Sequence, residues 1–204
     1  MTDKDTYNCI TNPDTESLFK DRGSKFIGYA FYVETEDDIK ERITEVKKIH
    51  YSARHHCYAY RIGSEVIKFR ANDDGEPSHS AGDPILGQII AKDLTNVLVV
   101  VVRYFGGVKL GVGGLIQAYK AAAKEILDEC KIETRTINKL FSVTLEYPEL
   151  NQIMRFVKEN NLNIVEQKME MNCEIILSIR LKDADTIFDK LSKMHKLKTK
   201  ILES

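Results

Sequence analysis

The chain has 204 residues, of which 43% are hydrophobic and 30% are charged, and its formal net charge is −1. This length and composition are typical of a soluble globular protein with one large or two modest domains, and they exclude a disordered or fibrous chain. Because the charges nearly balance, a polyanion would have to be bound by a local basic patch.

The chain carries no signal for a membrane or for export. Its longest aliphatic run, Val97 to Val102, is far shorter than the ~20 residues that cross a bilayer. The first ten residues, "MTDKDTYNCI", lack the features of a secretion signal. The four cysteines lie far apart without a C-x-x-C pair. We therefore expect a cytoplasmic protein with reduced thiols and no membrane association.

The first half of the chain alternates predicted strands and helices. "SKFIGYAFYVET" predicts a strand, and Thr35 and Asp38 form a capping box that opens the amphipathic helix "DDIKERITEVKKIH". A hairpin across Gly63-Ser64 is predicted next, followed by the polar loop "NDDGEPSHSAGDP" and the short helix "ILGQIIAKD". An apolar strand, a glycine loop and a long helix that ends near Cys130 complete this half.

The second half has a more regular pattern. "FSVTLEY" predicts a half-buried strand whose alternate residues from Phe141 to Tyr147 point inward. Two amphipathic helices and three more strands follow, in the order βαββαβ of the ferredoxin-like fold. The polar stretch "KIETRTINK" separates the halves. We predict an α+β protein with domains at 1–135 and 136–204.

The glycine loop "FGGVKLGVGG" is the first candidate site. It lacks the Lys-Ser/Thr of a Walker A loop and the third glycine of a Rossmann fingerprint, so we predict no nucleotide cofactor. Two interpretations stay open. Its amides, at a helix N-terminus, could accept an anion, or its glycines could permit close packing. From Leu94 to Lys124 there is no acidic residue, whereas Arg103, Lys109 and Lys120 are present, which favours an anion.

The polar loop is the second candidate, for metal binding or acid–base chemistry. Its candidate residues are Asp73, Asp74, Glu76 and His79. Their spacing does not match a calcium loop, and Asp-Gly and Glu-Pro are ordinary turn formers. A structural turn is therefore the favoured interpretation, and we predict no metal. The adjacent His55 and His56 point to opposite faces of a strand, so they cannot share one ion.

Two further segments are rich in cations. "ARHHCYAYR" mixes cations with aromatic rings, as nucleic-acid surfaces do. "KLSKMHKLKTK" carries five lysines, which indicates either a solvated face or an edge that contacts phosphates.

Three of these stretches resemble the YigZ/IMPACT family. They are "RHHCYAYRIG", "NDDGEPSHSAGDPIL" and "VVRYFGGVKLGVGGLIQAYKAAA", in the family's order over most of residues 20–130. The resemblance implies a first domain with the left-handed βαβ fold of a small-subunit ribosomal protein and of elongation factor G domain IV. It implies a second, ferredoxin-like domain similar to domain V of that factor.

The resemblance also bears on function. Eukaryotic IMPACT proteins act in translational control by restraining a stress kinase, and the family offers no catalytic residue to carry over. The chain departs from the usual motif at His79, where glycine is common, and at Asp83, where a basic residue is common.

We therefore expect a translation-associated protein without catalytic activity that binds RNA or the ribosome. The predicted contacts are Arg54, His55, Arg103, Tyr104, Lys109, Lys120, Lys193, Lys196 and Lys198. Arg103 has a second interpretation, in which it lies inside and pairs with a carboxylate of the polar loop. Two other functions stay open: a hydrolase-like enzyme that uses Asp73 to Asp83, and a regulator that binds a protein partner without RNA.

Overall fold

The computed structural model describes residues 5–11, 15–169 and 173–202. The chain divides into two compact units: residues 7–135 form the N-terminal unit, and the C-terminal unit starts at Thr136 and includes Asp5 and Thr6. Each unit contains helices packed on a sheet, so the protein is of the α+β class. Within the described residues, no helix combines the length and apolar character that a membrane span requires.

The N-terminal unit is built on a five-stranded antiparallel sheet. Its elements are, in chain order, β1 (Thr6–Ile10), β2 (Thr15–Asp21), β3 (Ser24–Tyr32), α1 (Glu36–Ile49), β4 (His55–Ile62), β5 (Lys68–Asn72), α2 (Gly82–Ala91), β6 (Val97–Tyr104), α3 (Gly111–Glu129) and β7 (Ile132–Thr136). The strand order is β2-β3-β6-β4-β5, and β1 pairs with β7 in a separate two-stranded sheet.

The central strand β6 separates two hydrophobic layers. Val97, Val99 and Val101 pack in the cluster that contains α2 and α3. Leu98 and its alternate neighbours pack in the cluster that contains α1. Because successive side chains of a strand point to opposite faces, the uninterrupted apolar run of β6 is what a strand covered on both faces requires.

The capping box predicted at the start of α1 is confirmed. The side chain of Thr35 accepts a hydrogen bond from the backbone N–H of Asp38 at 3.1 Å, and the Asp38 carboxylate accepts one from the N–H of Thr35 at 2.9 Å. This arrangement satisfies two N–H groups that have no partner inside the helix.

The C-terminal unit has the element order βαββαβ. Its elements are β8 (Asn138–Leu145), α4 (Leu150–Glu159), β9 (Asn163–Met169), β10 (Cys173–Arg180), α5 (Leu181–Ser192) and β11 (Lys198–Leu202). The strand order is β11-β8-β10-β9, and all pairs are antiparallel. Phe141, Val143 and Leu145 are buried as predicted. The prediction that Tyr147 points inward is wrong: it is 55% exposed, because the chain leaves β8 after Leu145 and forms a short 3-10 helix, Tyr147–Glu149.

Candidate functional site at one end of the N-terminal sheet

Three of the motifs noted in the sequence lie at one end of the five-stranded sheet. The end of β6 pairs with the starts of β3 and β4, since Tyr104 is opposite Lys25 and Arg103 is opposite His55. The glycine loop leaves the sheet at this end, directly after Tyr104. The polar loop also starts at this end, because β5 runs antiparallel to β4.

Arg103 is buried and belongs to the interior of the N-terminal unit. It is only 8% exposed, and its Nη1 donates a hydrogen bond to Oε1 of Glu76 at 2.7 Å. The hydroxyl of Tyr119 donates to the same oxygen at 2.8 Å. The prediction that Arg103 contacts RNA phosphates is therefore corrected. Its charge is already neutralised inside, as in the second interpretation that the sequence left open.

Cys57 lies in the same buried network. Its Sγ is 3.0 Å from the carbonyl oxygen of Asp73 and 3.3 Å from the hydroxyl of Tyr119. Burial raises the pKa of the Cys57 thiol far above neutral pH. Because the thiolate is the nucleophilic form, this environment does not suit a catalytic cysteine.

Asp73 anchors the start of α2. Its carboxylate accepts hydrogen bonds, each 2.9 Å long, from the backbone N–H groups of His79, Ala81 and Gly82. Burial acts to raise the pKa of Asp73, but the three backbone donors together outweigh it and lower that pKa. Both carboxylate oxygens of Asp73 thus already accept hydrogen bonds from the backbone.

The other polar-loop residues also make local contacts. Asp74 accepts a hydrogen bond from the backbone N–H of His56 at 2.7 Å, and its carbonyl oxygen lies 2.9 Å from Nδ1 of His55. His79 and Asp83 contact each other at 2.6 Å on the surface. Among the described residues, no cluster of three metal-binding side chains occurs. These contacts favour the structural turn for this loop.

The tightest approach of the glycine loop to another segment is at Gly106. A Cβ on Gly106 would lie 1.8 Å from the carbonyl carbon of Gly23, in the turn between β2 and β3. The N–H of Gly106 also donates to the hydroxyl of Ser24 at 3.2 Å. A Cβ on Gly107 or Gly113, by contrast, would meet no atom of the described residues within 4 Å. Close packing therefore explains Gly106 and not the whole motif.

The rest of the glycine loop faces solvent. Phe105, Val108 and Val112 are 59%, 51% and 53% exposed. The first turn of α3, which starts at Gly111, has no side-chain cap from the part of the chain that the structure describes. The loop thus presents apolar side chains and uncapped backbone N–H groups together.

Exposed cations surround this loop. They are Lys20, Arg22, Lys25, Arg54 and Lys109. Within the described ranges of the chain, none of the five forms an ion pair. The only acidic residue in the β2–β3 turn is Asp21, which is half-buried.

Tyr104 is held by a hydrogen-bonded chain that sequence reasoning missed. Its hydroxyl is 2.9 Å from Nδ1 of His50, and Nε2 of His50 is 2.7 Å from the hydroxyl of Tyr29. Because the Tyr29 hydroxyl donates its own proton to Glu16, it accepts a hydrogen bond from Nε2–H of His50. Nδ1 of His50 then carries no proton and accepts a hydrogen bond from the Tyr104 hydroxyl. Burial lowers the pKa of His50, which favours this neutral form. These residues come from separate elements, so no local motif indicates them.

The remaining predicted contacts lie elsewhere. Lys120 is exposed on α3, and the helical rise places it about 14 Å along the axis from Gly111. Lys193 and Lys198 are exposed in the C-terminal unit, where Lys196 pairs with Glu149 at 3.4 Å.

The architecture and its motifs define a two-unit α+β protein whose N-terminal unit carries the recognisable sequence. Residues 22–127 match the family model of the Impact N-terminal domain, and the chain belongs to the IMPACT family, which confirms the resemblance. "IMPACT family member YvyE" of Bacillus subtilis (strain 168) is 34% identical over 180 residues, which cover 88% of this chain and 83% of that protein.

Two solved structures are also similar. A crystal structure of a hypothetical protein has a TM-score of 0.72 and 25% identity, and the match covers 98% of this chain and 99% of that chain. Yih1, described as a two-domain translational regulator, is 24% identical over 64% of this chain and 52% of its own chain. Its TM-score of 0.39 is too low to carry a structural argument.

Proposed function

We propose that this protein binds RNA, free or within the ribosome, through the loop end of its N-terminal sheet, and that it acts in cytoplasmic translation without catalysing a reaction. The observation that carries the proposal is the group of exposed cations around the glycine loop that have no ion-pair partner among the described residues. The proposal includes the finer fold assignment: a left-handed βαβ fold, as in elongation factor G domain IV, for the N-terminal unit and a ferredoxin-like fold for the C-terminal unit.

The lack of ion pairs at these cations, within the described part of the chain, bears directly on phosphate binding. Lys124, for example, lies 2.5 Å from the carboxylate of Asp128, and it would have to give up that partner to bind a phosphate. Lys25, Arg54 and Lys109 have no such partner among the described residues. Binding a phosphate would release only the counterions of the nucleic acid, which is favourable at low salt.

The register of β2, β3 and β6 places two of the lysines and Tyr104 side by side, which supports a continuous surface. Lys20 is opposite Lys25, and Lys25 is opposite Tyr104, so all three point to the same face of the sheet. Tyr104 is held in place by His50 and presents a ring beside these lysines. Cations interleaved with aromatic rings are typical of surfaces that bind single-stranded nucleic acid.

Contacts of the polar loop argue against the hydrolase alternative. Asp73 and Glu76 both accept several hydrogen bonds from within the unit. A general acid or base has to be within reach of a substrate proton. The Glu76 side chain is only 4% exposed, so a substrate would not reach it in this structure.

The family relationship supports a role in translation. The chain belongs to the IMPACT family, and the eukaryotic members that it resembles act in translational control.

The test is filter binding of the purified protein to transfer RNA and to ribosomal subunits at two salt concentrations. Affinity is expected to fall steeply with salt. Lys109→Ala should weaken binding to all RNA sequences alike. It should also flatten the slope of log affinity against log salt concentration by about 0.7 on single strands. Lys68→Ala is the matched control, because Lys68 is exposed at the first residue of β5, at the opposite end of the sheet.

Two results would contradict the proposal. One is a failure of the parent to bind either RNA at low salt, and the other is a Lys109→Ala variant that binds as tightly as the parent. In both cases the regulator that binds a protein partner becomes the leading function, and the exposed Val108 and Val112 would be its first candidate contacts.

A further inference from the structure

Phe105 is an exposed aromatic residue whose position is fixed on both sides along the chain. The residue is 59% exposed. The preceding residue, Tyr104, is the last of β6 and is held by His50. The following residue, Gly106, packs against Gly23 so closely that no side chain would fit there. The backbone on each side of Phe105 is thus anchored, although the ring itself faces solvent.

A buried cation supports the ring from inside. The guanidinium carbon of Arg103 lies 5.7 Å from the centroid of the Phe105 ring and also 5.7 Å from that of Phe26. Glu76 fixes the guanidinium by its hydrogen bond of 2.7 Å. A desolvated cation at this distance attracts the ring. Arg103 therefore acts as a positioning residue for Phe105.

The surroundings of the ring carry positive charge. Lys109 belongs to the same loop, and Arg22 precedes Gly23, the glycine that Gly106 contacts. Both are exposed and without ion pairs among the described residues. A ligand that complements this surface has a flat π-face for the ring and anionic groups for the cations.

We infer that Phe105 stacks on an unpaired base of single-stranded RNA, while the neighbouring cations contact the flanking phosphates. The inference rests on the proposed function and names the ligand class of that same site. The bases of a duplex are already stacked and paired, so their π-faces are not available to a protein ring. Stacking on an aromatic side chain tolerates every base, so no sequence preference is expected.

The first experiment uses the fact that the chain contains no tryptophan. Phe105→Trp introduces a unique fluorophore at the ring position, and Val108→Trp introduces one at an exposed position of the same loop. Stacking of a base should quench the emission of Phe105→Trp when single-stranded oligoadenylate is added. A duplex of the same length should quench it much less, and Val108→Trp should respond weakly to both.

The second experiment separates stacking from charge. Phe105→Leu keeps an apolar side chain but removes the aromatic face, so affinity for the single strand should fall about fivefold or more. The salt slope should stay unchanged, because no charge is removed. Lys109→Ala should show the opposite pattern, with a flatter slope. A urea unfolding curve of Phe105→Leu that matches the parent would exclude loss of folding as the cause.

Failure of the inference can be told from failure of the proposed function. If the parent binds RNA but Phe105→Leu binds equally well, or Phe105→Trp is quenched equally by duplex and single strand, stacking is overturned and the RNA function stands. If the parent binds neither transfer RNA nor ribosomal subunits, the function itself is overturned.

Discussion

Two loops lie at the same end of the N-terminal sheet, and they use their polar residues in opposite ways. The polar loop directs two of its carboxylates inward, where Asp73 holds the start of α2 and Glu76 neutralises Arg103. The glycine loop directs Lys109 and Phe105 outward. Both loops contain residue types that suit a functional site, so residue type does not distinguish them. What distinguishes the two loops is how many hydrogen bonds their polar groups already make within the fold.

The difference has an energetic basis. A buried donor or charge without a partner is strongly unfavourable, so the inward carboxylates are required for folding. The outward lysine is solvated whether or not a ligand is bound, and its removal leaves no unsatisfied group. Substitutions in the polar loop should therefore affect stability, and those in the glycine loop should affect binding, with Gly106 as the exception.

The largest effect is expected for Glu76→Ala. This change leaves the charge of Arg103 buried and without its carboxylate, which is expected to reduce the free energy of unfolding of the N-terminal unit by about 3–5 kcal/mol. Urea denaturation followed by circular dichroism measures it. Lys40→Ala is the control, because its ion pair with Asp37 is exposed and should contribute nothing measurable. A Glu76→Ala protein as stable as the control would show that the buried pair is not structural.

Gly106→Ala should have the next largest effect. The new Cβ would lie 1.8 Å from the backbone of Gly23, and a backbone atom cannot move aside as the end of a side chain can. We expect the free energy of unfolding to fall by about 1–3 kcal/mol or more. Gly113→Ala is the matched variant, since its Cβ meets nothing within 4 Å in the first turn of α3. It should be neutral or stabilising by up to about 1 kcal/mol. Equal effects of the two changes would contradict the close approach.

Asp73→Asn should have a smaller, pH-dependent effect. The amide offers one acceptor oxygen in place of two, so part of the three-donor set loses its partner, and we expect a loss of about 1–2 kcal/mol near neutral pH. Because the folded-state pKa of Asp73 is lowered, the carboxylate stabilises the fold above its unfolded-state pKa of about 3.9, and this stabilisation is lost as the pH falls through the lower folded-state value. Unfolding curves from pH 7 to pH 2 should therefore converge for parent and variant. A constant difference over that range would mean that the charge of Asp73 is unimportant.

Local sequence signals predicted the regular elements of the fold. The capping box at Thr35 and the apolar run of β6 are such signals, and both correspond to the observed elements. The sequence analysis does not predict strands β1, β2 and β7. The side chains of β7 are mostly exposed, so they show no hydrophobic alternation, and the strand exists because it pairs with a segment more than 120 residues away. Such pairing leaves no local trace in the sequence.

For the candidate site, the sequence identified the loops but not the direction of their side chains. The acid-free segment around Arg103 favours a surface position over the inside position that the sequence also allows, whereas alternation along β6 places Arg103 on the same face as the buried Val99 and Val101. Its partner, Glu76, is 27 residues away in a loop, and only the strand register brings the two together. His50 was missed for the same reason, since its partners come from β3 and β6.

The smallest effect on stability, and the sharpest test of the difference between the loops, is expected for the outward cations together. The triple variant combines Lys25→Ala, Arg54→Ala and Lys109→Ala. It lacks three exposed charges that form no ion pairs among the described residues. Surface changes of this kind alter the free energy of unfolding by less than about 0.5 kcal/mol each. The salt slope of RNA binding should nevertheless flatten by about 2, the sum of three contacts at about 0.7 each. Filter binding and urea denaturation on the same preparation measure both quantities. If the triple variant instead lost several kcal/mol of stability, its cations would be structural, as Arg103 is, and the distinction between the two loops would fail.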